Sequence, residues 1–420
     1  MAKYLPELGW ESIIITPSTE KNFRGKFSSA LGFIKKGIKV VETDSPERFV
    51  FLKKILGLKG GRNFRQEISQ KYGMASKLSE YFFNLIGAIV NYPDADKTWK
   101  PAALEAAKDI IKKHRIDVVL SSSSPVISHL VAHEIKQKYH IPWVADLRDL
   151  WSQNHNYYYG PVRCFIDRCL ERRTLGLADA LITVSEPWAA KLNELHRVKR
   201  VYSITNGFDP DRLKRKMSPL TKAFTITYTG NLYKGKQDLE QFFIGLSHLI
   251  NNGKMDKEKV RVRVYGPVEI WIEELIMRYR LNDVVKQYGI ISREDVLLRQ
   301  NESQLLLLVC WKGRKEKGCY PLKTFEYLSV RRPIFAVGGE GGDVIEKLLD
   351  KTKSGFYCRD VEEIKIRLME LYHQYLQHGK VRYQGKTDQI NAYNYCEMTR
   401  QFVIVFDQGG YTHNGNDTKH

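Results

Sequence analysis

Short apolar runs alternate with amphipathic helical patterns along most of this chain. The run Asp117–Leu120 is typical: a serine-proline turn ends it, and a helical pattern over Ile127–Tyr139 follows. Such alternation indicates βαβ units, in which parallel strands form a sheet covered by helices on both faces. With 420 residues, the pattern predicts an α/β protein of two or three domains.

The alternating units form two series, separated by a polar, basic stretch that contains Pro210 and Pro219. Proline-containing polar stretches between periodic segments are typical of linkers. A closing amphipathic stretch is predicted as a helix, and the polar, glycine-rich end after it as a disordered tail. The predicted boundaries are a first Rossmann-like domain over 1–207, a linker over 208–221, a second Rossmann-like domain over 222–384, a helix over 385–408 that crosses back to the first domain, and a tail over 409–420.

The first series begins in an unusual way. A helical pattern over Ala2–Leu8 precedes the first apolar run, Ser12–Thr16. Doubly wound domains usually open with a central strand and a glycine-rich turn, and neither is found before Ser12. We therefore expect the first domain to lack its first strand.

The composition excludes several classes of protein. No apolar run approaches the ~18 residues that a membrane-spanning helix needs, and the first residues do not resemble an export signal. The six cysteines are scattered without a C-x-x-C pair, which argues against a disulfide scaffold or a zinc ribbon and fits a reducing cytosol. His129 and His133 share a helix face, but we favour packing or capping over metal binding because no third ligand is evident. A cytoplasmic protein without a bound metal is expected.

The net charge of +19 indicates an anionic partner. Residues 21–77 contain 14 Lys and Arg against four Asp and Glu, interleaved with apolar side chains such as Phe49 and Phe51. Mixed basic and apolar side chains suit the surface of an anionic membrane, which predicts peripheral contact at its inner face. The alternative is a solvated helix with one buried face. Nucleic acid is the less favoured partner, because no recognised nucleic-acid module appears.

Two segments of the second series have the residue types of an anion site. The loop Thr229–Lys236 follows a predicted strand and combines glycines, which allow a close backbone approach, with lysines. Lys323 and Glu326 lie three residues apart at a helix start, where they could hold a phosphate and a sugar hydroxyl. A surface ion pair is the alternative for this second pair.

Eight segments, in this order, resemble glycosyltransferase family 4, whose members have the GT-B fold. The segments are Leu5–Trp10; Tyr92–Asp94 with Trp99; Ser122–Pro125 with Ser128–Leu130; Pro142–Trp151; Thr183–Glu186; Asn206–Asp209; Tyr228–Leu232; and Lys323–Leu328.

The resemblance implies two Rossmann-like domains facing each other across a cleft, with a nucleotide-sugar donor on the second and an acceptor on the first. It implies transfer with retention of configuration and without a metal, so that the donor is a substrate and no cofactor is needed. The implied acceptor is a surface glycan or a lipid-linked sugar, as in polysaccharide biosynthesis.

The resemblance also assigns residues. Glu326 matches the family's ribose-binding carboxylate, but Gly318 stands where the family's first glutamate is expected. Lys234 matches the lysine that faces the diphosphate, whereas Asn231 lies near the position of its partner arginine. The expected donor-binding residues are Gly230, Asn231, Lys234, Lys236, Lys323 and Glu326.

Asp146, Arg148 and Asp149 lie where related enzymes place polar groups at the edge of the first domain's cleft. They are the candidate catalytic residues, and a carboxylate among them would accept or orient the acceptor's proton. A strand-end ion-pair network is the alternative.

The favoured hypothesis is a glycosyltransferase. The main alternative is an N-terminally truncated, inactive relative that serves as a binding or scaffold protein, motivated by the missing strand. A sugar-nucleotide epimerase of the same fold is a further alternative, but the sequence reveals no acid–base pair for it.

Overall fold

The computed structural model describes residues 1–18, 38–44, 92–94, 96–155, 157, 160–197, 200–211, 218–237, 239–313, 317–339 and 341–408. Most of the basic segment over 21–77, and the tail over 409–420, therefore lie outside the described residues. By their internal contacts the residues form two compact units. Unit 1 comprises Met1–Ile204 and the residues from Arg400 onward, and unit 2 comprises Thr205–Thr399.

Unit 1 has two parallel sheets among its described residues, one of two strands and one of four in the order β3-β4-β5-β6. Strands β4 and β5 are buried along their whole length, as expected for strands covered on both faces. The strands are β1 (Ile13–Pro17), β2 (Lys39–Thr43), β3 (Val119–Ser123), β4 (Trp143–Leu147), β5 (Ala180–Thr183) and β6 (Val201–Ser203).

Helices of unit 1 cover both sheets. Ile15 of β1 and Val119 of β3 pack against one apolar cluster that is built around Trp99 and Ala103, so the two sheets share a helical layer. Among the described residues, the 3-10 helix Leu5–Leu8 precedes β1 and the 3-10 helix Lys97–Trp99 precedes the first described α-helix. The α-helices are α1 (Lys100–Lys113), α2 (Ile127–Tyr139), α3 (Pro161–Leu175) and α4 (Glu186–His196).

The described residues of unit 2 form one parallel sheet of six strands, in the order β12-β11-β10-β7-β8-β9. Strand β10 has the sequence LLLLV and is wholly buried. The strands are β7 (Phe224–Thr229), β8 (Val260–Tyr265), β9 (Val285–Gly289), β10 (Leu305–Val309), β11 (Ile334–Val337) and β12 (Gly355–Cys358). The helices are α5 (Glu240–Asn251), α6 (Ile270–Arg278), α7 (Arg293–Asn301), α8 (Lys323–Val330), α9 (Val344–Thr352), α10 (Val361–His378) and α11 (Thr387–Asn391).

The C-terminal segment over 385–408, predicted as a single helix, forms α11 and a further helix, α12 (Tyr395–Gln408). The break has an identifiable structural cause. The backbone of Asn394 pairs with Phe208 in an isolated parallel bridge, and the Asn394 side chain accepts a hydrogen bond from the Glu397 amide at 2.9 Å. Helix α12 therefore begins with a new N-cap, a role for which asparagine is well suited.

The strand order of unit 2 reverses between β7 and β10. From β7 the chain builds outward through β8 and β9, and from β10 it builds in the other direction through β11 and β12. Ligands of open parallel sheets bind at the carboxyl ends of the strands beside such a reversal. The topology therefore directs attention to the residues that follow β7 and β10. None of the helices in the described part of the chain is long and apolar enough to cross a membrane.

Candidate functional site

The carboxyl end of β7 forms one side of the candidate site. Gly230 follows the strand with a φ of +113°, a conformation that side-chain-bearing residues rarely adopt. The Tyr228 hydroxyl donates a 2.7 Å hydrogen bond to the Asn231 carbonyl oxygen and so holds the turn closed. Gly266, at the end of neighbouring β8, approaches so closely that a Cβ there would lie 2.3 Å from the Gly230 oxygen.

Lys323, the first residue of α8, reaches this turn. Its Nζ donates a hydrogen bond to the Tyr228 hydroxyl and lies 3.9 Å from the centroid of the Tyr228 ring. A Cβ on Gly230 would lie 3.1 Å from the same nitrogen, so only glycine leaves the lysine its full space. Burial lowers the pKa of Lys323 to about 7, and nearby Glu326 opposes the shift. Burial thus disfavours the charged form of the lysine, and an anion bound beside it would stabilise that form.

Glu326 lies one helical turn further along α8. Its Oε1 accepts a 2.7 Å hydrogen bond from Gln300 Nε2, and the same nitrogen lies 2.9 Å from Thr229 Oγ1. Gln300 is fully buried. The Tyr327 hydroxyl completes the network, accepting a hydrogen bond from the Thr229 amide at 3.1 Å. This network fixes the Glu326 carboxylate relative to the end of β7.

The lysines of the β7–α5 loop are placed differently. Lys234 is exposed in a turn. Lys236 lies over the Trp311 ring, with its Nζ 6.0 Å from the ring centroid, and the Lys312 amide donates to its carbonyl oxygen at 2.9 Å. Tyr233 stacks on Trp311 at 5.2 Å. The loop is therefore joined to the residues after β10, the other strand of the reversal.

The structure thus brings Gly230, Lys323 and Glu326 together through direct contacts around Tyr228 and Thr229. Asn231 contributes its backbone carbonyl to the turn, while Lys234 and Lys236 lie further along the same loop. Tyr228, Gln300 and Trp311 were not foreseen as site residues. Gln300 lies on α7, 71 residues beyond Thr229, and no local pattern signals such a contact. For Tyr228 a local signal exists, because a tyrosine at the end of a predicted buried strand, directly before a glycine turn, indicates a hydroxyl close to the site.

The three candidate residues of unit 1 divide into a pair and a single carboxylate. Asp146 is buried in β4 and accepts hydrogen bonds from Arg148 Nε at 2.8 Å and from Ser122 Oγ at 2.9 Å. Arg148 also donates to the Ile204 carbonyl at 2.9 Å and packs over the Phe402 ring. This is the ion-pair arrangement that the sequence left open as the alternative reading.

Asp149, just beyond β4, has a different environment. Desolvation raises the pKa of its carboxyl, and its backbone carbonyl lies 3.4 Å from Ser123 Oγ. A carboxylate with a raised pKa at the carboxyl end of a strand is suited to accept a proton. Of the three residues, Asp149 is therefore the one whose environment fits acid–base chemistry.

The two histidines of α2 have structural partners. Burial lowers the pKa of His129 to about 3, and its Nδ1 lies 2.8 Å from Ser121 Oγ. His133 Nδ1 lies 3.0 Å from the Thr174 carbonyl oxygen. Within the described part of the chain, no group of three or more His, Cys, Asp or Glu is arranged to hold a metal ion.

Comparison with known proteins agrees with this architecture. Residues 75–212 match the model of Glycosyltransferase Family 4. Comparison with curated proteins returned no match.

Among solved structures, sucrose-phosphate synthase from Thermosynechococcus elongatus is similar with a TM-score of 0.61 at 14% identity, over 97% of this chain and 91% of that one. A glycosyltransferase from Rickettsia africae has a TM-score of 0.59 at 14% identity, over 99% and 93%. Anabaena HepE, solved with UDP and glucose, has a TM-score of 0.56 at 14% identity, over 94% and 99%. The resemblance expected from the sequence is therefore confirmed: the chain has the GT-B fold, and residues 75–212 carry the family 4 pattern.

Proposed function

We propose that this protein is a glycosyltransferase that moves a sugar from a nucleoside-diphosphate sugar to an acceptor hydroxyl. The observation that carries the proposal is the contact of Lys323 and its neighbour Glu326 with the end of β7, beside the strand reversal of unit 2. A buried lysine, a glycine turn that leaves this lysine its space, and a fixed carboxylate suit a diphosphate and the ribose hydroxyl next to it.

The chemistry follows from the leaving group. The bond between the sugar's anomeric carbon and the phosphate oxygen breaks, and its electron pair stays on the diphosphate. The acceptor oxygen bonds to the anomeric carbon and gives up its proton. In the proposed mechanism Lys323 and the first amides of α8 stabilise the departing charge, which fixed donors do best, and Asp149 accepts or orients the proton. Lys234 and Lys236 are proposed to add positive charge along the loop.

Finer features are also part of the proposal. Transfer retains configuration and uses these cationic groups in place of a metal, as the family resemblance implies. The acceptor is a surface glycan or a lipid-linked sugar, and the net charge of +19 favours an acceptor at an anionic surface. UDP is the first nucleotide to test, because HepE was solved with UDP and glucose.

Titration calorimetry with uridine and guanosine diphosphates tests the donor site. We expect one of the two to bind, and Glu326→Ala to weaken binding at least about ten-fold, since hydrogen bonds to charged groups contribute about 1.5–3 kcal/mol. Glu362→Ala is the matched control, because Glu362 is an exposed glutamate of α10. Wild-type affinity in the Glu326→Ala variant would contradict the assigned site.

Turnover distinguishes the enzyme from its alternative. The released nucleoside diphosphate is measured over a panel of nucleotide sugars, with and without glycan acceptors. Release of the diphosphate supports the proposal. Nucleotide binding without turnover on any donor would instead support the inactive binding or scaffold protein.

A further inference from the structure

Helix α3 of unit 1 is amphipathic with its apolar side turned to solvent. Val162, Phe165, Ile166 and Cys169 follow an i, i+3, i+4, i+7 spacing, which places them on one face. Val162 is 75% exposed, Phe165 69% and Ile166 43%, and Cys169 is also exposed. In most surface helices this face would be the buried one.

The polar side of α3 is buried instead. Arg163 pairs with Asp167 at 2.8 Å and donates to the Pro93 carbonyl at 3.0 Å. Glu171, fully buried, accepts from the Ser152 amide at 2.9 Å and lies 3.4 Å from His196 Nε2. These contacts fix the rotation of the helix, so that it cannot turn its apolar side inward without burying charges that have lost their partners.

The exposed face also has a one-sided charge. Both acidic residues of α3, Asp167 and Glu171, are buried, while Arg168, Arg172 and Arg173 are exposed. The outward surface therefore combines three guanidinium groups with a cluster of apolar side chains. Exposed apolar clusters of this kind mark interaction sites.

We propose that this face of α3, formed by Val162, Phe165, Ile166, Cys169, Arg168, Arg172 and Arg173, is a docking surface for an anionic lipid bilayer. The helix lies in the plane of the membrane interface, its apolar side chains enter the acyl boundary, and its arginines remain among the headgroup phosphates. The residues of this surface lie outside the basic segment over 21–77 on which the sequence-based expectation of membrane contact rested.

The positive charge of the α3 face favours an anionic bilayer over a second copy of the chain as its binding partner. A symmetric contact between two α3 faces would gather three arginines from each copy in one interface, where the buried Asp167 and Glu171 of α3 cannot pair with them, and like charges repel. An anionic bilayer offers both an apolar layer for Phe165 and phosphates for the arginines. A lipid surface satisfies both halves of the face at once.

The position of α3 in unit 1 determines which end of the unit would face the bound bilayer. The helix follows β4, so its first turn begins at the carboxyl edge of the unit 1 sheet, the same edge at which Asp149 follows the strand. The intervening loop is anchored to the buried side of the helix by the Ser152–Glu171 and Tyr157–Asp167 hydrogen bonds. A bilayer bound to α3 thus lies toward the Asp149 end of unit 1, where a membrane-borne acceptor would be presented if the proposed function holds.

Vesicle co-sedimentation of the full chain tests the proposal. We expect binding to vesicles of phosphatidylglycerol mixed with phosphatidylcholine, and little binding to phosphatidylcholine alone. The double variant Phe165→Ser/Ile166→Ser lowers the partition at least about ten-fold, because apolar burial is lost. The triple variant Arg168→Gln/Arg172→Gln/Arg173→Gln lowers it by about five-fold for each arginine.

Matched variants in unit 2 distinguish binding through the α3 face from the general electrostatic attraction between the basic protein and anionic vesicles. Ile366→Ser removes an exposed isoleucine of α10, and Lys254→Gln/Lys347→Gln/Lys380→Gln removes the same number of exposed charges. Neither control should reduce binding as the α3 variants do. Equal losses in the two triple variants would overturn the proposal, and so would a wild-type dimer that Phe165→Ser/Ile166→Ser converts to monomer.

A nitroxide probe gives a second readout that is independent of activity. The label is placed on Cys169 after Cys164, Cys319 and Cys396 are replaced by serine. Anionic vesicles should raise its collision rate with oxygen and lower that with a water-soluble nickel chelate; unchanged rates would overturn the proposal. Nucleotide affinity should be the same in all α3 variants, so failure of the donor site and failure of this surface are separate results.

Discussion

At the scale of single residues, the proposed role of Lys323 in anion binding has a cost in the stability of the free protein. Burial against Tyr228 lowers its pKa to about 7, which means that its surroundings disfavour the charged form. A ligand with phosphate groups would supply negative charge in addition to that of nearby Glu326. Residues that serve a binding site in this way commonly reduce the free energy of unfolding of the protein.

Replacing Lys323 by methionine should therefore have opposite effects on stability and binding. We expect Lys323→Met to raise the free energy of unfolding by about 1–2 kcal/mol near neutral pH, because a methionine fills the space without a buried charge. It should weaken nucleoside-diphosphate binding by about 10–100-fold. Urea denaturation and calorimetry measure the two quantities, and Lys254→Met, on the surface, should change neither. A variant that loses both stability and affinity would show that the lysine is a structural residue.

The same lysine predicts a pH dependence of nucleotide affinity. A diphosphate stabilises the protonated form, so the pKa of Lys323 is higher in the complex than in the free protein, and binding takes up a proton above about pH 7. The dissociation constant should rise by up to about ten-fold per pH unit there. Titrations above pH 7 avoid most of the titration of the terminal phosphate, whose pKa is about 6. Lys323→Met should give a flat profile, and a wild-type profile equally flat would contradict the assignment.

Asp149 leads to a prediction about turnover. Desolvation raises the pKa of its carboxyl, which favours a role in accepting the acceptor's proton. Asp149→Asn should lower kcat by about 10²–10⁴-fold and leave nucleotide affinity unchanged, because the residues of the proposed donor site belong to unit 2. Asp109→Asn is a useful comparison, since Asp109 is an exposed aspartate of α1. Unchanged kcat in Asp149→Asn would exclude the residue from the chemistry.

At the scale of elements, the backbones of the turns after β7 and β8 pack in direct contact with each other. A Cβ on Gly266 would lie 2.3 Å from the Gly230 oxygen, so even alanine must displace the turn that faces Lys323. We expect Gly266→Ala to lower the free energy of unfolding by about 1–3 kcal/mol, the usual cost of overpacking, and also to weaken nucleotide binding.

Gly355 offers a matched control at the opposite edge of the same sheet. A Cβ there would lie 2.1 Å from the Ile334 oxygen, but Gly355 begins β12 and is remote from the carboxyl ends of the strands. Gly355→Ala should destabilise the protein without a specific effect on nucleotide affinity. Equal losses of affinity in the two variants would mean that the β7 turn has no special part in binding.

These elements also show which parts of the fold and of the candidate site can be predicted from the sequence. The run Thr225–Tyr228 and the glycine after it predicted both a strand and the turn beyond it, because strand ends and glycine turns are encoded locally. The Gln300–Glu326 hydrogen bond was not predicted, and neither was the exposure of the apolar side of α3. Each depends on residues distant in sequence, such as Pro93 and Ser152 for α3. The break between α11 and α12 was missed for the same reason, since Phe208 pairs there with Asn394.

At the scale of the whole molecule, the net charge of +19 produces a field that acts on any polyanion. Such binding must be separated from binding at the donor site, and salt separates them. A polyanion that contacts six to ten cations loses about 10³–10⁵-fold in affinity between 50 and 200 mM salt, whereas a diphosphate held by one or two fixed cations releases few counterions.

We therefore expect duplex DNA to bind weakly and to be released as salt rises to about 200 mM, while the affinity for the nucleoside diphosphate changes only a few-fold over the same range. Fluorescence anisotropy of a labelled duplex and calorimetry with the nucleotide measure the two. Lys323→Met should abolish most of the nucleotide binding and leave the DNA curve unchanged, because a single buried cation contributes little to the long-range field. Tight DNA binding that persists at high salt would instead favour nucleic acid as the partner, and would require a recognition surface other than the β7 turn.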